Sequence, residues 1–340
     1  MTRTTPPRPF DIEALFPELA AHRGTTTRLH PRPGAPTVAD SSVGGPLLWP
    51  AEEPWPVCTE PHGRGRGLRP ADIHRARQVL AAAWARDRPT DEELQLLDEL
   101  RREHRVPEIT DSTPLPLIAV AQLYRRDVPD LPAGPDGCDL LQMFWCPFDR
   151  HGRGYDMSLD LRWRRSWEVT EVLTEPPRPE AVGSQGYVAE PCVLHPEQVV
   201  TYPFAGLLPE ELRDRIDAWE DALEAEEEAE DEGRDEEPVY YQYDLSIPPG
   251  WRAGGFASWH LTDPGPMDCR TCATPMELLL TIDSSEWDGG SGSWMPQEED
   301  PKAPTCESAT PTEVIVGRAG ELNIFACPAN PAHPHRWSIQ

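Results

Sequence analysis

Three cysteines and a histidine near the C-terminus carry the clearest chemical signal in this chain. Cys269 and Cys272 form a C-x2-C pair, Cys327 closes a later strand-like run, and His333 and His335 follow it. Zinc takes four soft or borderline ligands in a tetrahedron; a two-residue spacer lets both sulfurs reach one ion from a single turn, while a distant strand end supplies the other pair. The spacing points to a zinc site of Cys269, Cys272, Cys327 and His333. His333 is preferred because His335 sits one proline further on, beside the strand-like end of the chain; Cys306 or water is the fourth ligand if neither histidine closes the site. The competing reading is three buried thiols and two tail histidines, since the last ligand pair is wider than the usual spacing.

A second set, Cys58, His62, Cys146 and His151, has C-x3-H and C-x4-H spacings that also suit a zinc ion. An internal repeat ties it to the first. Gly44-Gly45, Trp49, Cys58, an apolar run at 115–124, Gly137 and a run ending in Cys146-Pro147 recur in order as Gly254-Gly255, Trp259, Cys269 and Cys272, a run at 277–283, Gly320 and a run ending in Cys327-Pro328. Such self-similarity implies duplication, here with pseudo-twofold packing. Cys192 with His195 is a rival pair lacking a second pair, so burial is expected for Cys192, as for Cys138, and Cys306 reads as a loop thiol.

The elements that must position these groups are short. The 340 residues include 41 prolines, each fixing φ and removing a backbone donor. Residues 10–22 have the apolar spacing of a short N-terminal helix. Residues 71–86 and 90–104 are helix-patterned, with Thr90 and Glu93 as a capping box, inside an inserted helical hairpin at 63–111 whose Gly/Arg leader reads as a flexible loop. Residues 115–124 and 139–146 read as buried strands, 157–163, 167–173 and 239–247 as further strands, and 208–229 as a helix dissolving into an acidic tail. The expected fold is α+β and mostly antiparallel β, in two duplicated halves. Its parts are 1–205, a helix and acidic linker at 206–238, and a metal-binding half at 239–340.

The formal charge is −28, of which residues 210–237, with 16 acidic and 3 basic side chains, supply −13. Nucleic-acid binding needs clustered cations and is disfavoured. No apolar run has signal-peptide or bilayer-spanning length, so the expectation is a soluble cytoplasmic protein in which eight cysteines serve as thiols or metal ligands.

The turns with Gly-Gly ahead of a Trp, the runs LPLIAVAQL and LLQMFW, and the final unit from Gly-Gly to Cys-Pro resemble the YwqG-like family, a bacterial family of unknown function, over about 40–56, 115–164 and 251–340. The resemblance implies a cytoplasmic, internally duplicated α+β protein and supplies no catalytic residues. The insertion, the acidic segment and the Cys/His sets depart from the family.

Phosphate-loop, H-E-x-x-H, G-x-S-x-G and dinucleotide motifs are absent. The loop 283–294 lacks the alternating oxygens of a calcium site and reads as a mobile surface turn. The favoured function is a non-catalytic module with structural zinc, holding a protein or peptide partner in a Trp-rich groove. One alternative is a zinc enzyme with an open coordination position and Glu286 or Asp283 as base. The other is an immunity- or antitoxin-like protein whose acidic face neutralises a basic partner.

Overall fold

The computed structural model describes residues 3–61, 66–106, 109–110, 113–148, 151, 157–230, 238–300 and 306–340. The fold is α+β. Among the described residues the strands are β1 Gly24–Arg28, β2 Arg32–Pro33, β3 Ser42–Val43, β4 Val57–Cys58, β5 Arg66–Gly67, β6 His104–Arg105, β7 Leu115–Pro116, β8 Ile118–Tyr124, β9 Leu140–Trp145, β10 Leu159–Arg164, β11 Cys192–Val193, β12 Glu197–Thr201, β13 Arg252–Ala253, β14 Glu277–Asp283, β15 Glu321–Ala326 and β16 Arg336–Ile339. They form two six-stranded sheets, β12-β1-β13-β14-β15-β16 and β10-β9-β8-β3-β11-β2, with two-stranded ribbons β4-β7 and β5-β6. All the pairings are antiparallel.

The two sheets contain one strand order twice. In one it is β3-β8-β9-β10 and in the other β13-β14-β15-β16. In each set the first strand runs directly into a Gly-Gly turn whose first glycine has φ near +65° (Gly44 at 64°, Gly254 at 66°), a backbone region that side chains with a Cβ rarely adopt. Each set also carries a register shift near the start of its long strand, between Ala119 and Ala121 in β8 and between Leu278 and Leu280 in β14. A bulge of this kind sharpens local twist and re-aims the residues before it.

The long strands are largely buried on both faces, with Gln122, Gln142, Thr281 and Asn323 as polar residues among their apolar side chains. Val120, Leu141 and Trp145 from one sheet and Leu280, Ile324 and Trp251 from the other share a single buried cluster, each large side chain contributing about 2 kcal/mol or more on burial. The C-terminal sheet draws on both sides of residue 205: β1 and β12 extend it beyond β13. The threonines of β1 make this possible. Thr26 Oγ1 donates to the Ala253 and Gly254 carbonyls, and Thr27 Oγ1 to Asp130.

The inserted hairpin is α2 Pro70–Trp84 and α3 Asp91–Leu100, following the N-terminal α1 Ile12–Leu15. Thr90 and Glu93 form the expected capping box, with Glu93 N–H donating to Thr90 Oγ1 and Thr90 N–H to the Glu93 carboxylate. Helix α4 Glu210–Glu230 extends into the acidic run. Its first turns bury Leu212 and Ile216 against Ile12, Phe16 and Tyr241. The Tyr240 hydroxyl donates to Glu224 and the Tyr241 N–H to Glu220, which ties the chain after the acidic run back to the helix.

Three local expectations fail. Residues 241–246 form a wide helical turn instead of a strand: Asp244 accepts from the Tyr240 N–H and Ser246 donates to the Gln242 carbonyl, so local side-chain bonds outcompete a ladder. Residues 166–168 form a 3-10 turn, and strand character in 167–173 is reduced to a bridge between Val172 and Pro50. The loop 283–294 is not a mobile turn: Glu286, Trp287 and Trp294 are buried, and a 3-10 helix at Gly289–Trp294 is capped by Asp288 and Ser291.

Candidate metal centres

Cys269 and Cys272 sit on a tight knuckle between the Met267–Met276 backbone pairing. Cys269 N–H donates to the Thr274 carbonyl, Ala273 N–H donates back to the Cys269 carbonyl, and Ala273 takes a left-handed φ of 56° to close the turn. Cys327 follows the last residue of β15. Beyond it Asn330 accepts from the Ala332 N–H through its side chain and from the His333 N–H through its carbonyl, and this turns the histidine back toward the sulfurs.

The result is one group. A ligand atom from each of Cys269, Cys272, Cys327 and His333 lies within 4.8 Å of all the others. Cys272 Sγ is 3.5 Å from Cys327 Sγ, and Cys269 Sγ is 3.4 Å from His333 Nδ1. A tetrahedral zinc with Zn–S near 2.3 Å and Zn–N near 2.0 Å places its ligands about 3.5–3.8 Å apart, so these separations suit an ion at the centre. They are far longer than a disulfide, and the described cysteines are all free. Hydrogen bonding with Thr274 draws the Cys272 thiol down to about 7, toward the thiolate a metal requires.

The second group comprises Cys58, Cys146 and His151, again within 4.8 Å of one another. Cys58 is held by the β4-β7 ribbon, and Cys146 follows β9 as Cys327 follows β15. Cys58 Sγ is 3.3 Å from His151 Nε2. A hydrogen bond from Cys146, then one from His151, draws the Cys58 thiol down to about 4, and sharing that proton pushes Cys146 up. His62, the fourth member expected from sequence, lies outside the described residues.

Each group is seated in its own apolar cluster with matched parts. Trp49, Phe144, Cys58 and Cys146 pack together in one, and Trp259, Phe325, Cys269 and Cys327 in the other. Both Cys/His groups could hold a metal ion.

The remaining candidates are placed elsewhere. His335 belongs to neither group. Cys192 is buried as expected, its thiol 3.2 Å from the Pro311 carbonyl, whereas Cys138 is only half-buried. Cys306 opens the short helix α5 Cys306–Ala309 and is not in a free loop. Glu286 and Asp283, the possible bases, are in neither group. Glu286 instead forms part of a buried polar cluster missed by sequence reasoning. Its Oε2 faces His30 Nδ1 at 3.8 Å, its Oε1 accepts from the Trp251 N–H, and the fully buried Arg28 donates nearby to Thr5 and to the Trp294 carbonyl. Burial pushes Glu286 up to about 7 and His30 down to about 4. No sequence pattern marks this cluster, in which Glu286 lies more than 250 residues from Arg28 and His30.

Trp55 lines a cleft with Pro70 and His74, while six other tryptophans are buried. Trp49, Trp145, Trp251, Trp259, Trp287 and Trp294 are core residues, and Trp84 and Trp167 are the exposed ones that stand out among those described. Among the described residues no helix is long and apolar enough to cross a membrane. No protein-family model matches the chain, and no curated protein matches it.

Proposed function

We propose that this is a zinc protein whose two Cys/His centres are structural, and that its task is non-catalytic binding of a protein or peptide partner. The observation that carries the metal reading is the C-terminal group of three sulfurs and one imidazole nitrogen at tetrahedral separations. Four protein ligands close the coordination sphere, which leaves no position for substrate and favours a binding protein over an enzyme. Each centre staples the end of a central strand to a distant turn, so zinc affinity there becomes folding free energy.

The matched strand order, the matched bulges and the two Gly-Gly turns support a duplicated origin for the halves. Kinship with the YwqG-like family is proposed on the sequence motifs alone, the Gly-Gly turns ahead of a Trp and the apolar runs at 115–124 and 140–145. A zinc-enzyme reading attaches only to the second centre, where three described ligands leave the fourth position to His62 or to water.

Zinc stoichiometry and thermal stability of His333→Ala beside His335→Ala test the proposal. His333→Ala loses the C-terminal zinc and stability, and His335→Ala keeps both. Wild-type behaviour of both variants refutes a histidine-closed site. Cys272→Ser destabilises the C-terminal sheet; a fully folded protein without that zinc would contradict a structural role.

A further inference from the structure

A cleft with a cavity volume of about 660 Å³ opens beside the C-terminal sheet, away from both Cys/His groups. Its walls come from the turn at 242–249, the segment 258–261, the hairpin at 317–321 and the C-terminal Gln340, and its floor is the end of the β14-β15 ladder. A cavity of this size is that of a small-molecule site.

Two carboxylates form the floor. Asp283 and Glu321 are direct cross-strand partners at the last rung of the ladder. The equivalent last rung of the matched β8-β9 ladder pairs Tyr124 with Leu140, both buried in the core. The shared frame therefore does not require acids at this rung. An aromatic–aliphatic pair satisfies it in one sheet, whereas two carboxylates side by side in the other are repulsive and costly to desolvate.

The two acids are compensated unequally: Glu321 has an ion pair with Arg252 and accepts from Asn323 Nδ2, whereas the charge of Arg252 reaches Asp283 without a hydrogen bond among the described residues. Arg252, fully buried behind the pair, is 3.5 Å from Glu321. Its other donors are taken by the Pro248 and Phe256 carbonyls and Ser258 Oγ. Asp283 accepts from the Gly250 and Ser285 N–H groups and remains half-buried at the cleft. His260 Nε2 lies 3.9 Å from Glu321, and the His260 ring stacks on Tyr243 with centroids 5.8 Å apart, giving the cleft an aromatic wall. The further charges on its lining are Asp288 and the exposed Arg318.

We propose that this cleft binds a small molecule that presents a primary ammonium, amidinium or guanidinium group to Asp283 and Glu321 and lies against Tyr243. The observations complement such a cation in charge, in volume and in the π-face beside the acids. Burial, then the charge of Glu321, pushes Asp283 up to about 7. A bound cation displaces the proton that otherwise balances the pair.

Calorimetric titration of the full-length protein with agmatine, which carries both an amine and a guanidine, tests this, with butyrate and glucose as controls. Agmatine binds and the controls do not, and near neutral pH its heat varies with the ionisation enthalpy of the buffer because a proton is released. Asp283→Asn and Glu321→Gln each weaken binding at least about tenfold, the worth of one charge-assisted hydrogen bond. Tyr243→Ala, a substitution at a half-exposed ring that leaves the fold intact, also weakens it. Absence of agmatine binding, or equal affinity in wild type and the acid variants, overturns the proposal. If the acid variants do not fold, unchanged affinity in Tyr243→Ala overturns it.

Discussion

Replacing Glu286 by Gln removes an ionisable group from the interior while keeping its shape. Glu286 is 1% exposed, and burial raises its carboxyl from 4.5 to about 7, against smaller opposing effects of Arg28, the Trp251 N–H and Arg32 and a reinforcing one of Asp283. A folded-state value above the unfolded one means that the native protein holds the proton more tightly. Stability from this group is then complete below about pH 4.5 and is lost as pH rises through about 7. At about 1.36 kcal/mol per pK unit the full difference is about 3 kcal/mol, of which about 2–3 kcal/mol falls between pH 5 and pH 8. The neighbouring His30, lowered to about 4, titrates in the opposite sense: its contribution is lost as pH falls below about 6.5 toward 4. The wild-type profile is therefore partly flattened, and comparison with the variant is the informative measurement. Urea unfolding of Glu286→Gln and wild type at pH 5 and pH 8 shows the variant gaining about 2–3 kcal/mol relative to wild type at the higher pH. A difference that does not change with pH refutes the buried, proton-holding assignment.

Other expectations follow from backbone geometry. Gly44→Ala, at φ 64°, sets a Cβ 2.9 Å from the Glu190 carbonyl oxygen and costs about 2 kcal/mol or more in chemical unfolding, whereas Gly137→Ala, at φ 77° with nothing within 4 Å, costs about 1 kcal/mol. Equal costs would show that the close approach under Gly44 has no energetic weight. Thr90→Ala removes the side chain that caps α3 and lowers stability by about 1 kcal/mol in the same assay; no change would mean that the hairpin contributes nothing to global stability.

The ladder frame and the clustering of the Cys/His groups were legible for the same reason: both depend on short, local patterns. A C-x2-C knuckle, a Cys-Pro after an apolar strand and a Gly-Gly turn carry their geometry within a few residues, and each lies where its pattern places it. The place of β1 in the C-terminal sheet did not follow from sequence, because its pairing to β13 joins residues more than 220 positions apart. The helical turn at 241–246 was hidden by the tyrosines of the run at 239–247, which favour strands until Asp244 and Ser246 bond nearby backbone. The buried Arg28, His30 and Glu286, and the Asp283–Glu321 floor, look like surface residues in sequence; only tertiary packing takes them from water.

The central claim is that zinc is held by sulfur and imidazole in closed, structural sites. X-ray absorption at the zinc edge, on protein purified without chelator and of known metal content, tests it most directly. The expected spectrum is that of bound zinc with a four-coordinate shell dominated by sulfur at about 2.3 Å and completed by imidazole nitrogen. Metal-free protein, or zinc bound only by oxygen and nitrogen, would contradict it.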